Sequence, residues 1–185
     1  KIVLALLFLS ISFGLCSKSI SLSPKGNGKD DRGAIMNALK SVDTLYLNAG
    51  EFILKNEPVL INSFLPRRLV IIGKGMEQTR IKGTEKGAFV ISNAKQAHHV
   101  TIKGLTIADG LRNAAGTDKG GGILVETKGG SLTLDDVAVR NCTALGGGGA
   151  IAISGTNTSL KNCCLTENKV TSDNQYAGFG GAIYF

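Results

Sequence analysis

The stretch LDDVAVRN at residues 134–141 is matched by IKGLTIAD at residues 102–109 and by LKNCCLTEN at residues 160–168. In each unit the apolar side chains stand at offsets zero, three and five, and the units begin 32 and 26 residues apart. Self-similarity at such a period is typical of repeat architectures, in which each unit packs only on its neighbours. The repeat therefore predicts a solenoid.

A Gly-rich element alternates with these units along the chain. It ends in Ile123, Ile151 and Ile183, at intervals of 28 and 32 residues, with Gly or Gly-Ala directly before each isoleucine. One coil holds both elements, so equivalent side chains should stack one strand spacing apart and the three isoleucines should form one inward column. A leucine-rich repeat is the alternative solenoid, but its regular Leu spacing and fixed Asn do not occur here.

The strands that build these coils are predicted to be short, because turn residues interrupt every apolar segment. The apolar segments are Leu45–Leu47, Phe52–Leu54, Val59–Ile61, Leu69–Ile72, Ile81, Phe89–Ile91, Val100–Ile102 and Leu105–Ile107. Before them, residues 31–41 have an amphipathic pattern with an Asp available to cap the first turn. We predict a short helix there that covers the apolar end of the first coil.

Residues 1–17 form an apolar run behind a single Lys that is too short to span a bilayer. The run is typical of a secretory signal peptide, with lipidation at Cys16 or membrane anchoring as alternatives. The N-terminal segment and the capping helix then occupy residues 18–43, and the β-helix occupies residues 44–185. We expect the β-helix to continue beyond Phe185, because the sequence stops two residues after the last Gly-Gly-Ala-Ile.

The charge balance limits the classes of partner. The formal net charge is +7, and loss of Lys1 with the leader leaves +6, with most of the excess before residue 90. A solvated basic face accounts for this excess, and attraction to an acidic polysaccharide is the alternative. No Arg-rich run or interleaved aromatic pattern favours nucleic acid.

The cysteines leave two interpretations open. Cys142, Cys163 and Cys164 remain after removal of the leader, which is an odd number. A disulfide from Cys142 to the vicinal pair is one interpretation, and free thiols that pack as small apolar groups are the other.

The helix followed by TLYLNAGEF at residues 44–52 resembles the start of the pectin-lyase-like superfamily of right-handed parallel β-helices, with Asn48 and Phe52 where that superfamily has Pro and Tyr. The Gly-Gly-Gly-Ile and Gly-Gly-Ala-Ile motifs that begin at residues 120, 148 and 180 resemble the repeats of chlamydial-type polymorphic outer-membrane proteins, as does the LxxN at residues 165–168. The first resemblance implies a right-handed parallel β-helix, and the second implies a surface passenger or adhesin.

Under the first resemblance, a polysaccharide lyase would use Asp-bound Ca²⁺ and a basic residue that removes a proton next to a uronate carboxylate. The candidate catalytic residues are Asp109, Asp136 and Arg140, and the candidate metal ligands are Asp109 and Asp135. Asp109 and Asn141 share one repeat offset and should stack on neighbouring coils. Asp135 and Asp136 are adjacent and are expected to point to opposite faces of a strand.

Several polar residues have simpler interpretations. His98 and His99 precede a predicted strand and are expected to be a turn or surface pair, with a binding or catalytic role for one of them as the alternative. Asn141, Asn162 and Asn168 are interpreted as turn residues, because Asn tolerates left-handed backbone.

The sequence therefore predicts an all-β, right-handed parallel β-helix with a short N-terminal capping helix. We expect a secreted or cell-surface scaffold, on the outer membrane in a bacterium, that binds a cell-surface receptor or a polysaccharide without a cofactor. Membrane contact would come only through sequence after Phe185. The alternative is a polysaccharide lyase or glycoside hydrolase acting on an acidic glycan, with Ca²⁺ required in the lyase case.

Overall fold

The computed structural model describes residues 18–93, 97–112, 118–171 and 179–185, and the leader interpretation of residues 1–17 lies outside this part. The described residues form a parallel β-solenoid of about five turns with one short helix, as the repeat predicts. The elements in chain order are β1 Ser19–Leu22, α1 Arg32–Leu39, β2 Thr44–Leu47, β3 Gly50–Ile53, β4 Val59–Ile61, β5 Arg68–Ile72, β6 Thr79–Lys82, β7 Phe89–Asn93, β8 His98–Ala108, β9 Leu111–Arg112, β10 Ile123–Thr127, β11 Gly130–Arg140, β12 Thr143–Ala144, β13 Ile151–Ser154, β14 Asn157–Lys161, β15 Cys164–Thr166, β16 Lys169–Val170 and β17 Ile183–Tyr184.

Three parallel sheets run along the solenoid. Sheet 1 has the order β1-β2-β5-β8-β11-β14 and also includes β3, β6 and β15. Sheet 2 has the order β4-β7-β10-β13-β17, and sheet 3 has the order β9-β12-β16. Each strand pairs with its equivalent one coil away, so the sequence period becomes a regular spacing of about 4.8 Å along the axis.

The register confirms the repeat that the sequence predicts. Leu134 pairs with Ile102 on one side and with Leu160 on the other. Ile151 pairs with Ile123 and Ile183, so the predicted isoleucine column exists. Ile123 and Ile151 are fully buried, and Ile183 is half-buried at the edge of the stack.

Two physical reasons explain why glycines precede these isoleucines, and Gly148 and Gly149 before Ile151 show both. Gly148 has a φ of 60°, and a Cβ there would lie 2.2 Å from the carbonyl oxygen of Ile151. Gly149 lies against the next coil, where a Cβ would be 2.5 Å from the carbonyl oxygen of Gly181. The motif therefore combines a left-handed residue with a close approach between coils.

The helix forms where the sequence predicts it, from Arg32 to Leu39 within the expected residues 31–41. It buries Ile35 and Leu39, and it contacts β1, β2 and β4 at the first coils. Asp31 occupies the N-cap position, but its carboxylate accepts hydrogen bonds from the backbone N–H groups of Lys25 and Ile53 rather than from the helix. Asp31 therefore joins the segment before the helix to β3 at the start of the solenoid.

The sequence prediction lacks β1 and also lacks the three two-residue strands of sheet 3, β9, β12 and β16. β1 lies in the N-terminal segment and pairs with β2 in parallel, so the stack starts before the helix. Its side chains are mostly exposed, but its sequence, Ser-Ile-Ser-Leu, alternates polar and apolar residues, which is the signal that could have identified this strand. No helix in the described residues is long and apolar enough to span a membrane.

Candidate functional site

The candidate acid Asp109 lies in a polar network at the end of β8. One carboxylate oxygen accepts a hydrogen bond from the Arg80 guanidinium at 2.6 Å, and the other accepts one from the Asn141 amide at 2.8 Å. Arg80 also pairs with Glu51 at 3.2 Å. Partial burial raises the pKa of Asp109, but the hydrogen bonds from Asn141 and Arg80 outweigh it and hold that pKa below its ordinary value. Asp109 and Asn141 therefore stack on neighbouring coils as expected.

Arg140, the other candidate at this end of sheet 1, is held by a segment from an earlier coil. Its guanidinium lies 2.8 Å from the carboxylate of Glu77. The same segment is fixed by Thr106, whose hydroxyl donates to the carbonyl oxygen of Met76 at 2.7 Å. Residues 74–78 thus reach over the outer face of β8 and β11, a contact across coils that the sequence gives no means to detect.

Asp135 and Asp136 lie in the middle of β11, away from Asp109. Asp135 pairs with the Lys103 ammonium at 3.3 Å and lies opposite Lys103 in the register. Asp136 is exposed and has a φ of 56°, a left-handed conformation that Gly104 and Asn162 share at the equivalent positions and that keeps both carboxylates on the solvent side. The expectation that the two point to opposite faces is wrong, because it assumes regular strand geometry.

The register also separates the two candidate metal ligands. Lys103, the neighbour of Asp135, is six residues from Asp109, a span of at most roughly 20 Å that the left-handed Gly104 shortens. Among the described residues, no group of three or more His, Cys, Asp or Glu side chains is arranged to hold a metal ion.

The two histidines are divided between the interior and the surface. His98 is 2% exposed, and its Nδ1 lies 3.3 Å from the carbonyl oxygen of Pro66. Desolvation lowers the pKa of His98 below its ordinary value. His99 is exposed, and its Nδ1 lies 3.0 Å from the hydroxyl of Ser131. The expectation of a turn or surface pair is therefore wrong for His98, because strand alternation turns it inward.

The cysteines described in the structure are free thiols. Cys142 is fully buried, and desolvation raises the pKa of its thiol to about 11. Cys163 and Cys164 are half-buried. Their positions agree with the interpretation as small packing groups.

The predicted turn asparagines have two different roles. Asn141 and Asn162 each have a φ of 52°, as expected for left-handed turns. Asn168 instead joins two coils, because its amide donates to the carbonyl oxygen of Val139 at 2.8 Å and accepts from the Cys142 N–H at 3.0 Å. The Asn of the LxxN motif therefore links its own coil to the backbone of the preceding coil through two hydrogen bonds.

A regular array of outward side chains covers sheet 1 on β5, β8, β11 and β14, and we call it the polar face. Its members are Arg68, Thr101, His99, Lys103, Ser131, Thr133, Asp135, Asn157, Ser159 and Lys161. The alternate residues of β8 and β11 are buried in the core, so these side chains point outward. Each position recurs once per coil, about 4.8 Å along the axis, and the column of Thr101, Thr133 and Ser159 has a hydroxyl on every coil.

A second surface feature lies beside sheet 2, and we call it the cationic cleft. Its volume is about 210 Å³, and its lining residues are Arg32, Glu57, Pro58, Leu60, Lys86, Val90 and Arg112. Sequence reasoning missed it, although Lys86 and Arg112 are 26 residues apart, which equals one coil.

Comparison with known protein families, with curated proteins and with solved structures finds no match to this chain. The fold and its surfaces are therefore the basis for assigning a function.

Proposed function

We propose that this protein is a non-enzymatic binding scaffold, secreted or displayed at the cell surface, whose polar face holds an extended polysaccharide. The observation that carries the proposal is the in-register repetition of hydrogen-bonding side chains. Thr101 pairs with Thr133, which pairs with Ser159, so one hydroxyl recurs on each of three coils. A regular row of donors and acceptors suits a ligand that is itself regular, as a sugar chain is.

Rigidity of the polar face supports the same role. The Lys103–Asp135 ion pair and the contact between His99 and Ser131 join neighbouring coils side chain to side chain. The backbone beneath them is held by parallel ladders on both sides of β8 and β11. A preorganised face loses little conformational entropy when a ligand binds, which favours affinity.

The ion pairs of the candidate acids also favour a structural role. Asp109 is engaged by Arg80 and Asn141, and Arg140 is engaged by Glu77. A lyase would need carboxylates that converge on one cation beside a uronate. The enzymatic alternative, a polysaccharide lyase or glycoside hydrolase on an acidic glycan, therefore ranks second.

The sequence supports placing the scaffold outside the cell. The apolar residues 1–17 are typical of an export signal. The Gly-Gly-Ala-Ile repeats are similar to those of polymorphic outer-membrane proteins, which favours an adhesin role. In that role the partner would be a polysaccharide or a cell-surface receptor.

The proposal is tested by removing two hydroxyls from the polar face. The Thr101→Val, Thr133→Val variant keeps the shape and β propensity of both side chains and removes their hydrogen bonds. Each hydrogen bond contributes roughly 1 kcal/mol, so affinity for an immobilised polysaccharide should fall by about tenfold or more. Thr166→Val, at an exposed position of β15, is the matched control and should bind like the unaltered protein. Equal affinities for all three proteins across acidic and neutral polysaccharides would exclude the polar face as the binding surface.

A further inference from the structure

The cationic cleft lies on a different surface from the polar face and brings together residues from three levels of the solenoid. Arg32 comes from α1, Lys86 from the turn between β6 and β7, and Arg112 from β9. These residues are separated by 54 and 26 positions in the chain, so the stacking of coils creates the site.

Two of the cations are positioned by backbone carbonyl groups. The Arg32 Nε donates to the carbonyl oxygen of Pro58 at 2.7 Å. One terminal nitrogen of Arg112 donates to the carbonyl oxygen of Lys86 at 2.9 Å. Fixing a guanidinium in this way lowers the entropy that a ligand must remove when it binds.

Arg112 has a hydrogen-bonding group that the described residues do not satisfy. Its Nε is buried and has no hydrogen-bond partner within residues 18–93, 97–112, 118–171 and 179–185, although the other end of the guanidinium pairs with Asp118 at 3.6 Å. A buried donor without a partner costs free energy, and such groups are uncommon in folded proteins. Because this Nε is itself enclosed, an oxyanion in the cleft would contact the terminal nitrogens of Arg112 rather than the Nε.

The charge of the lining selects the sign of the ligand. The cleft holds three cations and one acid, Glu57, which is a formal net charge of +2. Glu57 pairs with Lys86, and Asp118 at the edge of the cleft pairs with Arg112, so Arg32 carries the uncompensated positive charge. Guanidinium groups bind carboxylates, sulfates and phosphates through paired hydrogen bonds.

The floor of the cleft is apolar, which favours a ligand with a carbon framework that can pack against it. Pro58, Leu60 and Val90 line it, and the last two are equivalent positions on adjacent strands of sheet 2. Drug-sized ligands occupy pockets of roughly 300–1,000 Å³. A cleft of about 210 Å³ therefore suits one ring rather than a whole chain.

We propose that the cationic cleft binds a single ring-sized ligand bearing an oxyanion, such as a sugar carrying a carboxylate, sulfate or phosphate group. The anion lies between Arg32 and Arg112, and the ring packs on Leu60 and Val90. This site is separate from the polar face and does not depend on it.

Titration calorimetry tests the proposal with glucose 6-phosphate and galacturonate as charged sugars, inorganic phosphate as a bare anion and galactose as a neutral sugar. A charged sugar should bind more tightly than inorganic phosphate, because the ring adds contact with the floor, and galactose should not bind. Added salt should weaken the binding. Failure of both charged sugars to bind, or equal binding of galactose, overturns the proposal.

Two variants locate the site. Arg32→Gln and Arg112→Gln should each weaken binding of the charged sugar by about tenfold or more, since each removes charge-assisted hydrogen bonds. Arg67→Gln, at an exposed position before β5 and outside both the polar face and the cleft, is the control and should leave this binding unchanged. Circular dichroism shows whether each variant is folded. If Arg112→Gln disturbs folding, Arg32→Gln still tests the site, because Arg32 lies on the surface of the helix. Unchanged affinity in the folded Arg32→Gln variant overturns the proposal. Polysaccharide binding is measured on the same variants. This assay tests the polar face separately, so failure of the proposed cleft site can be distinguished from failure of the proposed polysaccharide site.

Discussion

Two adjacent isoleucines on β5 provide a matched test of which side of the sheet faces the core. Ile71 is 1% exposed and pairs with Leu45 and Ile102 in the inward stack. Ile72 is only half-buried and lies on the outer side of the same strand. Replacing each by Ala makes the same chemical change at neighbouring positions, so the difference in stability reports the direction of the side chain.

The expected difference follows from burial. Ile71→Ala removes three buried carbon atoms, worth roughly 2.4 kcal/mol at about 0.8 kcal/mol for each CH₂. A residual cavity adds about 1 kcal/mol, because the coils above and below hold the backbone in place. Ile72→Ala leaves no enclosed cavity and removes roughly half of the transfer free energy, so it should cost about 1 kcal/mol. The loss of β propensity is common to both and cancels in the comparison.

Urea unfolding followed by circular dichroism measures the two free energies of unfolding. Ile71→Ala should be less stable than Ile72→Ala by about 2 kcal/mol, with similar dependence on urea concentration. Equal costs, or a larger cost for Ile72→Ala, would refute the inward stack of β2, β5 and β8.

Three further predictions use other parts of the solenoid. Gly148→Ala should destabilise more than Gly129→Ala in thermal melts, because both have positive φ but only Gly148 has a carbonyl oxygen where the Cβ would lie. The lowered pKa of His98 means that the unfolded chain binds more protons, so stability should fall as pH drops below about 6.5. His98→Gln should remove that dependence and His99→Gln should keep it. Leu39→Asp should cost at least the 2–5 kcal/mol typical of Leu→Ala and promote aggregation on size-exclusion chromatography; unchanged melting and solubility would contradict the capping role.

The repeated units were sufficient to predict the register of the later coils. Offsets zero, three and five place Leu134 against Ile102 and Leu160, because equivalent side chains must stack in a solenoid. The Gly-rich elements predict the Ile123–Ile151 pair in the same way. The periodic apolar face of residues 31–41 was sufficient to predict the helix, because the helix buries that face against the first coils.

The surfaces could not be predicted as readily, because they depend on contacts between coils of unequal length. The pairing of Arg140 with Glu77 spans 63 residues and depends on a segment that reaches over the sheet. The left-handed backbone at Asp136 reverses the expected direction of one side chain. The cationic cleft combines α1 with two later coils, and no local pattern links Arg32 to Arg112.

The most direct test of the scaffold role follows binding and turnover together in one mixture of the full-length protein and a uronate polymer. We predict salt-sensitive retention of the polymer with no new ultraviolet absorbance from an unsaturated product, with or without Ca²⁺. Appearance of that absorbance, and its loss in Asp109→Ala or Asp136→Ala, would contradict the scaffold role and establish the lyase alternative.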